Sequence, residues 1–212
     1  MKTILLMSGG LDSATLLYHL KRGNYVQAMY FDYGQTHIKE LQSAKKICAD
    51  AGVKLHECKL PSIFSCALTG SAKDIPDGDA VIVPNRNMVL ISAATAYAVQ
   101  NDFDGVAIGC NSDDGLDYPD CGRMFLSAMG KAMRFCHTHT IELMAPFVWE
   151  SINKKGVVKL ARELGVPIDK TWSCYKGGKE PCGKCAACQL RHEAMTGIYP
   201  SIPRVDNIPT PS

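Results

Sequence analysis

The stretch Ser8-Gly9-Gly10-Leu11-Asp12-Ser13 sets two hydroxyls, two glycines and a carboxylate between an apolar run, Ile4-Leu5-Leu6-Met7, and a helical pattern of Ala14, Leu16, Leu17 and Leu20. Strand, glycine turn and helix N-terminus in that order is how an α/β protein holds a phosphate. The first N–H groups of a helix have no partner inside it and converge on an anion. Gly9 and Gly10 let the backbone come close to that anion and accept positive φ without a Cβ clash. Ser8 and Ser13 add hydroxyl donors. Asp12 is an odd neighbour for a polyphosphate unless a cation lies between them. The spacing is not that of a P-loop, which needs Gly-Lys-Ser/Thr after four variable residues. Nor is it a dinucleotide turn, because Leu11-Asp12-Ser13 stands where a later glycine belongs. Stripped of its flanks, the same hexapeptide would be an ordinary strand-to-helix turn.

A second group of reactive side chains lies near the other end. Cys174, Cys182, Cys185 and Cys188 are spaced C-x7-C-x2-C-x2-C. Four soft thiolates this close together are the donor set of a tetrahedral Zn²⁺ site, and Gly177, Gly178, Pro181 and Gly183 supply the turns that fold a loop around an ion. Four protein ligands leave no open position. The predicted role is therefore structural, pinning a segment too short to bury a core of its own. An iron–sulfur cluster is the alternative occupant of a four-cysteine set. The remaining cysteines (Cys48, Cys58, Cys66, Cys110, Cys121 and Cys136) are scattered and read as small core residues. Cys110, at a strand end near the phosphate loop, is the one for which a chemical role stays open.

The elements that must position these groups alternate. After the first strand and helix, residues 25–31 are β-branched and aromatic enough for a second strand. Apolar positions at 38, 41, 44, 47, 48 and 51 mark a helix closed by Gly52. Residues 53–60 read as a partly exposed third strand and 61–80 as a mobile loop; an apolar run follows at 80–84. Residues 88–99 read as a helix buried on most sides, 105–109 as a short strand, and 111–120 as a polar stretch at its carboxyl end. A helix through Phe125, Met129, Met133 and Cys136 comes next, then a strand at 141–147 and a helix at 152–164 stopped by Gly165 and Pro167. Strand–helix alternation with short connections predicts an α/β fold with a parallel, doubly wound sheet. Ligands then bind beyond the carboxyl ends of the strands, where residues 8–13, 32–35 and 111–120 would gather. The expected organisation is an α/β domain at 1–170, a four-cysteine zinc-binding segment at 171–195 and a Pro-rich tail at 196–212.

Composition narrows the function classes. The chain has 212 residues, 46% hydrophobic and 21% charged, with a net charge of +2 and no basic block. It thus has no electrostatic footprint for stable nucleic-acid binding. No secretory signal opens the sequence, and no apolar stretch approaches the ~20 residues of a membrane span. Ten cysteines in that setting point to a reducing compartment, so the expected location is the cytoplasm.

The hexapeptide Ser8 to Ser13 resembles the SGGxDS loop of ATP pyrophosphatases, which implies cleavage of ATP between its α- and β-phosphates with AMP left on an acyl or amide oxygen. With the cysteines and several further motifs, the chain resembles the 7-cyano-7-deazaguanine synthases. Those motifs are Phe-Asp-Tyr-Gly-Gln at 31–35 followed by His37, Val-Pro-Asn-Arg-Asn at 83–87, and Tyr-Pro-Asp-Cys at 118–121. They continue as Thr-Trp-Ser-Cys-Tyr at 171–175, Pro-Cys-Gly-Lys-Cys at 181–185 and Cys-Gln-Leu-Arg at 188–191. The resemblance runs from Lys2 to about Met195. Asn85 departs from it where a small residue is commoner, as does the Pro-rich end.

The resemblance implies an ATP- and Mg²⁺-dependent ligase that turns 7-carboxy-7-deazaguanine and ammonia into the nitrile by adenylating first the carboxylate and then the amide. It implies a homodimer with structural Zn²⁺ on Cys174, Cys182, Cys185 and Cys188. Met7, Ser8, Gly9, Gly10, Leu11, Asp12, Ser13, Ala14, Thr15, Leu16 and Leu17 would form the ATP-binding segment, with residues 31–35 beside the adenosine. Asp12, Ser13 and Arg86 are the candidate catalytic residues. Arg86 would clamp a carboxylate or phosphate with its planar fork, or serve in a salt bridge. Asp113, Asp114 and Asp120 would hold metal or the guanine-like edge of the substrate, or lie in a solvated loop. His37 is either a helix-start residue or a catalytic one. A variant that stops at the amide and a tRNA-modifying ATP pyrophosphatase are the rival readings. An amidotransferase leaves the cysteines unexplained, and a zinc-binding interaction module leaves the intact loop unexplained.

Overall fold

The computed structural model describes residues 1–61, 63–70, 75–77, 81–137 and 139–197. The tail from Tyr199 onward, the centre of the 61–80 segment and Ala80 lie outside the described residues. Five strands, β1 (Lys2–Leu6), β2 (Tyr25–Asp32), β3 (Leu55–Lys59), β4 (Gly105–Ala107) and β5 (Glu142–Met144), form one parallel sheet in the order β3-β2-β1-β4-β5. The chain winds outward from β1 to β3, returns to the centre and winds the other way through β4 and β5. The topological switch point therefore lies between β1 and β4, which is where such sheets bind ligands.

Strand periodicity divides the core in two. Leu5, Met7, Ala28 and Tyr30 point to one face, where α1 (Leu11–Leu20), α2 (Lys39–Ala51) and α7 (Lys154–Glu163) cover them. Ile4, Leu6, Met29 and Phe31 point to the other, under α3 (Arg86–Gln100) and α5 (Arg123–Met133). This is the two-sided cover that parallel strands require. Between β4 and α5 lie a short helix, α4 (Asp114–Asp117), and a 3-10 turn at Pro119–Cys121. The edge strand β3 is only partly buried, in keeping with its lysines and histidine.

Three expectations need correction. The strand expected over 141–147 spans only Glu142–Met144; Pro146 starts the short helix α6 (Pro146–Trp149), and Phe147 enters the core from there. α3 is not buried all round. Ile91, Ala94, Thr95 and Ala98 face the core, while Met88 is 45% exposed and the small residues Ser92 and Ala96 form its outer face. Where 61–80 reads as an aperiodic loop, Leu68, Ile75, Val81 and Val83 form a small buried cluster against Phe64 and Tyr175.

Among the described residues, one helix of more than a single turn has no counterpart in the sequence reading. α8 (Ala186–Thr196) starts on Cys185, ends at Gly197 in the left-handed conformation and packs against α7. Among the described residues, no helix is long and apolar enough to cross a membrane.

Candidate active site and metal centre

The turn after β1 is held by contacts that only glycine permits. Gly9 has φ +84°, and a Cβ there would lie 2.2 Å from the Glu40 carbonyl oxygen and 2.9 Å from the Ala44 nitrogen. Its own carbonyl accepts hydrogen bonds from the Ser43 hydroxyl (2.7 Å) and the Trp172 N–H (3.0 Å). α2 and the cysteine-bearing segment thus clamp the turn from two sides. Gly109, at the end of β4, plays the matching part: a Cβ there would sit 3.0 Å from the Ser13 nitrogen. Ser13 Oγ lies 3.0 Å from Ser8 Oγ and donates to the Gly10 carbonyl at 3.1 Å. No side chain of the described residues caps the N-terminus of α1, so its first N–H groups stay available to an anion.

The turn opens on a cavity of about 280 Å³, at the small end of ligand clefts. Met7, Ser8, Gly10, Asp12, Ser13 and Arg86 line it. Gly9, Leu11, Ala14, Thr15, Leu16 and Leu17 do not. They are buried in the core or the clamp, with Thr15 donating to the Leu11 carbonyl at 2.7 Å. Of residues 31–35, Phe31, Tyr33 and Gln35 reach the cavity, whereas Asp32 and Gly34 are exposed.

Asp12 is ion-paired with Lys154, the first residue of α7, and accepts a hydrogen bond from Asn111 Nδ2 at 3.4 Å. The backbone N–H of the fully buried Asn111 in turn donates to Asp114 Oδ2 at 2.9 Å. Burial, and then the charge of Asp12, push the Asp114 carboxyl up to about 6. Burial opposes the Lys154 charge, but Asp12 and Asp114 outweigh it and hold its pKa above the usual lysine value. Lys154 is absent from the sequence-derived candidates. It carried one signal: a lysine in the first turn of a helix opposes the macrodipole, at a cost of about 0.3–1 kcal/mol.

The other acidic candidates separate. Asp120 is structural: its carboxylate accepts the Asn87 N–H (2.9 Å) at the start of α3, and its carbonyl accepts Asn87 Nδ2 (3.0 Å). Asp113 accepts the Lys154 N–H at 3.2 Å, and only Asp114 faces the cavity. Asn85 adopts φ +54°, a left-handed conformation that asparagine tolerates better than most residues, which accounts for its presence before α3. Cys110 lies in the cavity wall beside Cys121, and Asn87 Nδ2 reaches both sulfurs, at 3.9 and 3.1 Å. Hydrogen bonding with Cys121, then burial, raises the Cys110 pKa well above the thiol norm, so it is a poor nucleophile as placed.

At the other end of the cavity Arg86 donates to the Tyr33 hydroxyl at 3.3 Å, and the Tyr118 and Tyr175 hydroxyls lie 3.3 Å apart. Burial works against the Arg86 charge, while Tyr33 and Glu40 raise its pKa and keep it a guanidinium. His37 does not line the main cavity. Its ring packs against Gly177, where a Cβ would approach it to 2.3 Å, and its Nδ1 accepts the Lys39 N–H at 3.2 Å.

The four cysteines converge. Their Sγ atoms all lie within 4.8 Å of one another. The N–H groups of Lys176 and Cys182 donate to Cys174 Sγ, and that of Cys185 to Cys182 Sγ, each at 3.4 Å. Burial disfavours the Cys182 thiolate, yet the N–H groups of Cys185 and Lys184 bring its pKa down to about 7. This donor set suits a metal. Arg191 ties the centre to the core, donating to Thr171 Oγ1 (2.6 Å) and the Ile168 carbonyl (2.8 Å). Trp172, Ser173, Tyr175, Ala187 and Leu190, all from this segment, form one wall of the cavity.

Comparison with known proteins supplies the deciding observation: the family described as "Queuosine biosynthesis protein QueC" matches residues 2–198. The chain belongs to the QueC family. Proteins similar to it include the 7-cyano-7-deazaguanine synthase of Caldicellulosiruptor saccharolyticus, 39% identical over 210 residues, which cover 93% of this chain and 92% of that protein. The synthase of Archaeoglobus fulgidus is 41% identical over 208 residues, covering 92% of this chain and 86% of its own. Among solved structures, the U34-tRNA thiolase NcsA of Methanococcus maripaludis, described with its [4Fe-4S] cluster, matches with a TM-score of 0.54 at 20% identity. That match covers 92% of this chain and 63% of the thiolase, and it shows a shared fold. The parallel sheet is the one that strand–helix alternation predicts, and the four cysteines converge as their spacing predicts.

Proposed function

We propose that this chain is an ATP-dependent ligase that converts 7-carboxy-7-deazaguanine and ammonia into 7-cyano-7-deazaguanine, releasing AMP and pyrophosphate. The observation that carries this reading is the Ser8–Ser13 turn opening on the same cavity as Asp12, Asp114, Lys154 and Arg86, in a chain of the QueC family. A carboxylate resists ammonia because it is negative and its oxygen leaves poorly; adenylation removes both obstacles. A second adenylation, on the amide oxygen, lets AMP depart as the C≡N bond forms.

The residues divide the work by position. Ser8, Ser13 and the first N–H groups of α1 hold phosphates. Asp12 and Asp114 are hard oxygen donors that suit Mg²⁺, which supplies charge neutralisation on the phosphates. Lys154 offsets the negative charge of both carboxylates and stands ready for a phosphate oxygen. Arg86 anchors the acid at the far end, between Tyr33 and Tyr118. Catalysis on this scheme is positioning and electrostatics, with no covalent enzyme intermediate. The cysteine centre takes a single Zn²⁺ that shapes the Trp172–Tyr175 wall. Sulfurs within 4.8 Å of one another suit one ion, whereas a four-iron cluster sets an iron under each thiolate and spreads them further.

Mass spectrometry of a reaction with the acid, ATP, Mg²⁺ and ammonium tests the reading. Expected are AMP, pyrophosphate and the nitrile, with one AMP for the amide and a second for its dehydration. An end product one water heavier would assign the chain to amide formation alone. ADP and orthophosphate would refute the mechanism.

A further inference from the structure

Beside the main cavity lies a smaller chamber of about 40 Å³, sharing the walls Tyr33, Gln35, Glu40, Leu68, Arg86 and Tyr175 and bounded on its far side by Thr36 and His37. A buried water needs roughly 10–15 Å³ of such space and occupies about 30 Å³ in the liquid. The chamber therefore holds one or two molecules of that size and excludes a bicyclic base. Ammonia is one of the few reactants that fit.

Most polar groups around the chamber are already engaged. Gln35 donates to Tyr30 Oη (3.0 Å) and the Phe31 carbonyl (2.8 Å) and accepts the Tyr33 N–H (2.8 Å). The Thr36 hydroxyl donates to the Leu68 carbonyl at 2.7 Å, and His37 Nδ1 accepts from Lys39. The Glu40 carboxylate differs: no described residue donates a hydrogen bond to it, although it is only partly accessible to water. A half-buried carboxylate without a fixed donor can accept from a small donor that enters the chamber. Glu40 also lines the main cavity on which the Ser8–Ser13 turn opens, so the chamber adjoins the space in which an acyl adenylate would form.

We infer that this chamber is the ammonia site of the amide-forming step and that the Glu40 carboxylate receives ammonium there and removes its proton. The inference rests on the acid-activating function proposed above. In neutral water the nitrogen arrives mostly as ammonium, which has no lone pair to offer. Its proton passes to Glu40, and the freed nitrogen pair forms the C–N bond at the acyl carbon. The C–O bond to AMP breaks, AMP leaves with that electron pair, and the surplus proton on nitrogen goes to water. Glu40 faces Arg86 from α3, Tyr30 from β2, Tyr33 and His37 from the β2–α2 connection, and Tyr175 from the cysteine segment. Burial, against the pull of Arg86, pushes its carboxyl up to about 7, a range in which it both takes and releases a proton.

The test is steady-state kinetics on Glu40→Gln with ammonium as the varied substrate, beside acid-dependent exchange of labelled pyrophosphate into ATP. The KM for ammonium should rise at least tenfold while exchange continues, because activation of the acid precedes the nitrogen. If Glu40→Gln does not fold, Glu40→Asp, which keeps the charge but withdraws it from the chamber, should raise the same KM. An unchanged ammonium KM in a variant that still exchanges pyrophosphate overturns the inference. So does a rise confined to the KM of the acid, which would assign Glu40 to the substrate ring. If the wild-type protein shows no acid-dependent exchange, the acid-activating reading itself falls and the ammonia site with it.

Discussion

Lys154→Met removes the cation that faces both Asp12 and Asp114 while keeping most of the side-chain volume. At 22% and 20% side-chain exposure, the Lys154–Asp12 pair is neither a surface ion pair nor a fully buried one. At ~4 Å and an effective dielectric of ~20, two unit charges attract by about 4 kcal/mol before the cost of desolvating them. Stranding one member of a fully buried pair costs about 3–5 kcal/mol, so this half-buried geometry should lose about 1–3 kcal/mol at pH 8. The pH dependence makes the test specific. With its carboxyl at about 6, Asp114 is ionised at pH 8 and largely protonated at pH 5. Lys154 thus offsets two charges at the higher pH and chiefly Asp12 at the lower. The gap between wild type and Lys154→Met, measured by urea unfolding at both pH values, should narrow on going to pH 5. Acid-dependent pyrophosphate exchange should fall at least tenfold in the same variant. Equal stability losses at the two pH values, together with exchange within threefold of wild type, would refute this account of Lys154.

Three further perturbations separate the parts of the site. Gly9→Ala places a Cβ 2.2 Å from a backbone oxygen at φ +84°; the left-handed conformation alone costs ~1–2 kcal/mol, and urea unfolding should show a loss of at least about 3 kcal/mol, whereas a loss below about 1 kcal/mol would mean that α2 yields. Asp114→Asn tests linkage: a carboxyl raised to about 6 binds its proton more tightly in the folded state, so its contribution is fullest below about pH 4 and is lost as pH rises through 6. The asparagine variant should match wild type near pH 4 and exceed it by roughly 1–3 kcal/mol at pH 8; a constant offset across that range would contradict the assigned shift. Stripping metal with a chelator should lower Tm and weaken binding of the acid together, because the cysteine segment is a cavity wall; loss of Tm with acid binding intact would separate the centre from the site.

What could be read from the sequence was local. The glycine turn after β1 announces itself because six adjacent residues carry it, and most strands and helices of both faces follow from short-range periodicity. The cysteine centre is legible for the same reason. β5 escaped because the apolar content of 141–147 does not show where pairing stops; Pro146, which lacks the N–H a ladder needs, ends it. α8 escaped because Cys188 faces the metal centre and Glu193 is buried, so the helix carries no ordinary apolar stripe. Lys154 and Glu40 escaped for a topological reason. Lys154 meets Asp12 across 142 residues of chain, and no local pattern encodes that meeting. Each lies in the first turn of a helix that begins at the carboxyl end of the sheet, and fold geometry rather than motif brings them to one cavity.

The cysteine segment and the phosphate turn are mechanically one unit. The Trp172 N–H donates to the carbonyl of Gly9, and two residues later Cys174 joins the four-cysteine cluster. Trp172 Nε1 donates to the Cys174 carbonyl at 2.7 Å, and Lys39 lies over its ring at 5.3 Å, so the indole is fixed from both sides. A segment this short, with few apolar residues, cannot bury enough apolar surface to hold such a geometry by itself. Loss of the metal would free the Trp172 backbone, and with it one of the two hydrogen bonds on the Gly9 carbonyl, leaving Ser43 as the remaining donor. A metal held by the four cysteines would therefore act on the proposed chemistry through a backbone hydrogen bond.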